Sequence, residues 1–233
     1  MNTKKIARIC GWLYLSTVLA FVLSNLILKG RLVDVEDISS TFKLISANAF
    51  QYRLSVSIDF LAMVAVMGLV FSLFAILKPI HPYFALVALG LRIGEVVIQA
   101  GGKIPDYLLL QLSQTAVAYS GDSSAGFESL GKMLIAGSTQ ALWVSFVFLS
   151  IGSIFNNYLF YISKMIPVGI AVFGLISAGL YTVGAMTALI VDLPESAKMG
   201  MMLPMVLFEL SLGGYLAFFG VKERFPTREI GGA

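Results

Sequence analysis

Thiol and imidazole are nearly absent from this chain, which has one cysteine, Cys10, and one histidine, His81, in 233 residues. A single cysteine forbids a disulfide within the chain. With only one histidine beside it, Cys/His zinc sites, two-His metal sites and histidine-based triads are excluded too. No metal and no cofactor is expected on these grounds. Charge is also scarce, at 12% of residues, and the formal net charge is only +3. The basic residues stand at the edges of apolar runs, so no nucleic-acid partner is expected.

What fills the chain instead is hydrophobic side chain, at 58%. That share exceeds what a soluble core uses and indicates an all-α, polytopic membrane bundle. Six transmembrane helices are expected, over 6–28, 54–77, 83–102, 134–155, 168–189 and 203–221, as a single domain covering 1–233. One or two peripheral amphipathic helices should lie on the outer side. The first run follows Lys4 and Lys5 like a signal peptide. Its apolar part is longer than the usual 7 to 15 residues and no small-residue cleavage site precedes Lys29, so it is read as a spanning helix.

Between the first two spans, Phe42, Ile45, Ala49 and Tyr52 recur at helical spacing within Gly30 to Arg53, which predicts a short helix lying on the membrane surface. LKPIHP makes a tight connection into the third span. Pro105 suits a first helical position, and KIPDYLLLQLSQTAVAYS is too short in apolar residues to cross, so a second peripheral or partly re-entrant helix is expected there. GDSSAG reads as a turn, with a helix from near Ala125 running into the fourth span. NNYLFYISKMIP is read as a returning connection whose aromatic residues suit an interface. On the fifth span, Gly174 and Ala178 form a small-xxx-small pair suited to close helix approach. DLPESAKMGMM is read as a polar link, and KERFPTREIGGA as a short basic tail.

Inside this apolar chain the charges carry the information. The third span, YFALVALGLRIGEVVIQAGG, places Arg92 near mid-depth, where a charge costs at least about 2.5 kcal/mol even on a lenient insertion scale. It should therefore face protein or water, with a partner. Glu95 and Gln99 follow at helical spacing on the same face, and the stripe continues to Lys103 and Asp106 if the helix does. Asp59, Glu95, Gln140 and Glu209 each lie five to seven residues from the outer end of their spans, so their depths agree within about 3 Å. A cavity in the outer half of the bundle is expected, lined by Asp59, Glu95, Gln99, Gln140, Tyr181 and Glu209, with Arg92 at its floor and Asn25 at its rim. Three carboxylates beside one guanidinium leave an odd acid, assigned to Glu209, as proton carrier or cation contact.

Orientation follows from lysine and arginine. Lys4, Lys5, Arg8, Lys78, Lys164, Lys222, Arg224 and Arg228 fall on one side in short segments, and seven others, Lys29, Arg31, Lys43, Arg53, Lys103, Lys132 and Lys198, fall on the other side in longer ones. The density places both termini in the cytoplasm of a cell-membrane protein.

ARICGWLYL, the stretch around Asp59, KPIHPYFALVALGLRIGEVVIQA, GSIFNNYLFYISKMIPVGIAVFGLISAGLY and LPMVLFELSLGGYLAFFGV together resemble the bacterial integral membrane family called domain of unknown function 4386. The marks that match best are the Arg92/Glu95 span, the tyrosine-rich turn before Pro167, and Glu209 followed by Leu212-Gly213. The resemblance implies a six-helix bacterial inner-membrane protein and supplies no activity or catalytic residue. Three functions follow from the residues. The first is binding or transport of a small cationic or amphiphilic ligand, or a proton, through the acidic pocket. The second is an accessory or regulatory subunit in which Arg92 and the acids only clamp helices together. The third, ranked last, is a membrane enzyme using Glu95 and Glu209 as acid and base on a lipid-like substrate. Membrane lipids are partners in each.

Overall fold

The computed structural model describes residues 2–119 and 124–222. The first half of the expected GDSSAG turn, 121–123, lies outside the described residues, as does the tail from residue 223 with Arg224 and Arg228, while the second half of the turn, 124–126, opens α6 as helix. Among the described residues every element is helical. α1 (Thr3–Phe21) continues as a π-helical segment, Val22–Lys29, and α2 (Ile38–Ala47) and α3 (Ala49–Leu77) follow. Then come α4 (Pro82–Gly102), α5 (Ile104–Ala118), α6 (Ser124–Ser163), α7 (Val168–Ile190) and α8 (Glu195–Phe219). Six of these stretches are long and apolar enough to cross a membrane, so the protein is a multi-pass integral membrane protein with a helical bundle fold.

The helix ends explain where sequence and structure part. Asn48 leaves helical geometry at φ −116° and ψ 37°, so the surface helix stops at Ala47. Tyr52, expected on it, belongs instead to α3. His81 caps α4 by accepting a hydrogen bond from the Phe84 N–H at 3.3 Å. The segment NNYLFYISKMIP is mostly not a connection, because α6 continues to Ser163 and buries Leu159 and Phe160. Hydropathy falls there while the backbone hydrogen bonds of the helix go on. For the same reason α8 begins at Glu195 and absorbs most of the expected polar link.

The six long helices close into a ring in the order α1, α3, α4, α6, α7, α8 and back to α1. No helix fills the middle. At the end holding the termini, Ala7 and Cys10 of α1, Leu73 and Leu77 of α3, Phe160 of α6 and Leu216 of α8 pack into one core. At the other end α2 and α5 cover the overhang of α6, with Phe42, Ile45, Leu109 and Leu110 in a second core. Leu19, Leu61, Val64, Leu86 and Val183 point outward and are exposed, as lipid-facing side chains should be.

The ring is pulled tight where α1 crosses α8. A Cβ on Gly11 would stand 2.1 Å from the Ala217 backbone nitrogen, and one on Gly213 would stand 2.8 Å from Tyr14 Cβ. The two backbones meet as small-residue crossings do in membranes. The Gly174/Ala178 pair is likewise internal, since Gly174 faces Phe208 and Asn157 and Ala178 is fully buried. Gly11→Ala is expected to wedge α1 from α8 at a cost of about 1 to 3 kcal/mol, read as a lower unfolding temperature in mild detergent. Gly90→Ala, whose Cβ would meet nothing within 4 Å, should leave that temperature unchanged or raise it slightly.

Candidate functional site

The hollow half of the ring is a cavity of about 590 Å³ to which all six long helices contribute. Its walls are largely apolar, with Val18 and Phe21 from α1, Met63 from α3, Leu142 and Phe146 from α6, and Met202 from α8. Each wall is one helical stripe, set by 3.6 residues per turn. Polar groups enter it at two levels.

The upper level lies at the end remote from the termini. Lys103, at the C-terminal cap of α4, meets Asp59 of α3 at 2.6 Å and Asp106 of α5 at 3.4 Å. Lys29, at the end of the π-helical segment, meets Asp106 at 2.7 Å. Asn25 donates from Nδ2 to Asp59 Oδ1 at 3.3 Å. Two lysines thus balance two aspartates. The four side chains tie α1, α3, α4 and α5 together across the mouth.

The lower level is built on α4. Arg92 Nη1 stands 2.8 Å from Glu95 Oε2, one turn on, and both side chains are almost wholly buried. The guanidinium N–H does not point along this contact, so the attraction is between charges rather than through a well-aligned hydrogen bond. Gln99 donates from Nε2 to Glu95 Oε1 at 3.3 Å. The stem of Arg92 lies against Gly152 of α6, where an added Cβ would come within 3.0 Å of Arg92 Cγ. Tyr14 and Tyr181 line the same depth, and Tyr181 packs on Phe146 with ring centroids 5.2 Å apart.

Glu209 of α8 also lines the cavity. It makes no ion pair or hydrogen bond with any described residue and is half-buried. Every other acid in the cavity has a basic partner in contact, whereas the cation that acts on Glu209, Arg92, is already in contact with Glu95. With Arg92 and Glu95 cancelling and the upper level neutral, an ionised Glu209 leaves the cavity one negative charge in excess.

Of the residues the sequence singled out, Asp59, Arg92, Glu95, Gln99, Tyr181 and Glu209 line this one cavity, as does Asn25. Gln140 does not. It is exposed on α6, whose cavity stripe runs through Ser138, Thr139, Leu142 and Phe146. At about 100° per residue Gln140 points roughly 145° away from the centre of that stripe, so equal depth did not mean equal direction. The acids also do not form one layer. Asp59 pairs with Lys103, eight residues and thus about 12 Å beyond Glu95 along α4. Sequence reading treated Lys29 and Lys103 mainly as orientation signals, although each follows a cavity residue, Asn25 or Gln99, by four. It missed Tyr14, which precedes the Thr17, Val18 and Phe21 face of α1 at helical spacing.

The family model described as Domain of unknown function (DUF4386) matches residues 9–220, which span both levels of the cavity. No curated protein and no solved structure matches the chain.

The two glutamates should respond oppositely to neutralisation. Glu95→Gln strands a buried guanidinium and is expected to cost about 3 kcal/mol or more. Glu209→Gln removes an unpartnered charge and is expected to leave stability unchanged or higher. Unfolding of both variants in mild detergent, against wild type, measures the difference.

Proposed function

The chain belongs to the family described as Domain of unknown function (DUF4386), whose description carries no activity, and we propose from the cavity that this protein binds an amphiphilic small molecule with a positive charge. The single observation behind this reading is the unpartnered Glu209 carboxylate in an otherwise charge-balanced, apolar cavity. A cationic head against Glu209 removes the excess charge, while the walls take up the apolar part. The size fits, because small-molecule sites commonly measure about 300 to 1,000 Å³ and are apolar with a few placed polar groups. Methionines at 199, 202 and 205 along α8 present flexible thioethers that adapt to different chain shapes.

In this reading Arg92 and Asp59 have supporting roles. Arg92 is the charge partner of Glu95, and Lys103 that of Asp59. Glu95 so tightly paired is poorly placed to shuttle protons with Glu209, which speaks against the carboxylate-pair enzyme. The accessory-subunit reading loses its support from the Gly174/Ala178 pair of α7, which is used inside the ring. The whole chain forms one domain of a cell-membrane protein, with both termini cytoplasmic and the lysine-bridged mouth outside. A cysteine at Val35, which is exposed beyond the mouth, should then react with a membrane-impermeant maleimide added to intact cells.

The probe for the ligand class is a bromoalkyl-trimethylammonium, whose bromine quenches tryptophan. Trp143 stacks edge-on against the cavity residue Phe146 and reports binding once Trp12 is replaced by Phe. In nanodiscs the probe is expected to bind wild type saturably. Glu209→Gln should weaken it about tenfold or more, equivalent to about 1.4 kcal/mol, and a bromoalkyl alcohol of the same length should bind less well than the amine. Equal affinity of wild type and Glu209→Gln for the amine would overturn the reading.

A further inference from the structure

We infer that the cavity is loaded sideways from the bilayer, through a gap between the π-helical end of α1 and the N-terminal half of α8, so that its ligand is a membrane-dissolved amphiphile. This rests on the amphiphile-binding reading above and adds the route.

The gap follows from how α1 is held. Its first half is clamped to α8 at Gly11, Gly213 and Ala217. Its last eight residues are drawn the other way. Ser24 Oγ donates to the Ser55 carbonyl at 3.0 Å, Asn25 reaches Asp59, and Gln51 Nε2 donates to the Leu28 carbonyl at 2.8 Å. Lys29 is anchored on Asp106. Each of these contacts leads to α3 or α5. Among the described residues, no Cα of Val22–Lys29 lies within 8 Å of a Cα of α8. A helix pair in contact at one end and apart at the other leaves a wedge-shaped opening.

Side chains on both sides of that opening confirm what it joins. Leu26 on one side and Met199 and Leu203 on the other all line the cavity, yet are 52%, 63% and 57% exposed. A residue that faces an interior cavity and is half open stands in a doorway. The neighbours outside it are Leu23, Ile27 and Leu207, all exposed and apolar. They suit hydrocarbon rather than water. The polar end of the cavity is laced instead by the lysine–aspartate pairs of the mouth. An amphiphile entering through the wedge brings its chain past methionine and leucine and its cationic head to Glu209, without breaking an ion pair.

The test closes the wedge. In a Leu26→Cys/Leu203→Cys protein, a short cleavable bismaleimide bridges α1 and α8; Cys10 is fully buried and does not compete. Uptake of the bromoalkyl-trimethylammonium in nanodiscs is followed through Trp143 as above. Bridging is expected to slow association at least tenfold relative to the same double-cysteine protein before treatment, cleavage of the linker to restore it, and single-cysteine proteins treated alike to be slowed far less than the bridged one. Where the bridge does not form, Leu26→Trp/Leu203→Trp fills the same gap and should slow uptake likewise, read with a non-tryptophan probe of the same head group carrying a fluorophore. Wild-type uptake by the bridged, folded protein would overturn the lateral route. Glu209→Gln separates the two ideas: if it binds the amine as wild type does while bridging still blocks uptake, the charge reading fails and the route stands.

Discussion

A guanidinium at mid-depth in hydrocarbon sets the terms for this bundle. Left facing lipid, Arg92 would cost more than any single helix contact returns. It is met on its own helix by Glu95 and covered by α6 at Gly152, where an added Cβ would crowd the arginine stem at 3.0 Å. The face of α4 that carries the pair must then point inward, which fixes the rotation of that helix. Once α4 is fixed, Lys103 and Gln99 follow on the same stripe and select their partners, Asp59 and Glu95. The polar interior is thus propagated from one buried charge by helical periodicity.

That chain of consequences also explains what was legible beforehand. The number of spanning helices, the inward face of α4 and the family were all readable, because each depends on local pattern: apolar run length, i to i+3 and i+4 spacing, and contiguous motif. The lengths of α6 and α8 were not. A helix ends when its backbone hydrogen bonds stop, and in Asn156–Ser163 and Glu195–Leu203 they persist into polar sequence. The tiers of the cavity were also hidden. Depth counted from a hydropathy boundary inherits the error of that boundary, and depth alone carries no rotation, so Gln140 was grouped with residues it does not face. The pairing of Asp59 with Lys103 required knowing that α4 ends beside the middle of α3, a tertiary fact.

The two ends of the ring are built on different principles. Near the termini, small residues and aliphatic side chains fill the interior, and the α1–α8 crossing brings backbones into contact. Toward the mouth, polar side chains tie helices together in pairs without filling the space between them. Ion pairs and single hydrogen bonds reach across gaps that aliphatic packing would have to close. A hollow therefore remains where polar ties replace packing.

The π-helical segment sits at the junction of these two regimes. Its wider turn is uncommon and costs alignment of backbone hydrogen bonds, so something must compensate it. Four contacts to α3 and α5 begin at Ser24 and end at Lys29, within the last six of the eight residues of the segment. The same contacts that hold the segment in this form draw it from α8. The mouth is latched and the flank is parted by one set of contacts, those of Ser24, Asn25 and the Leu28 carbonyl with α3 and of Lys29 with α5.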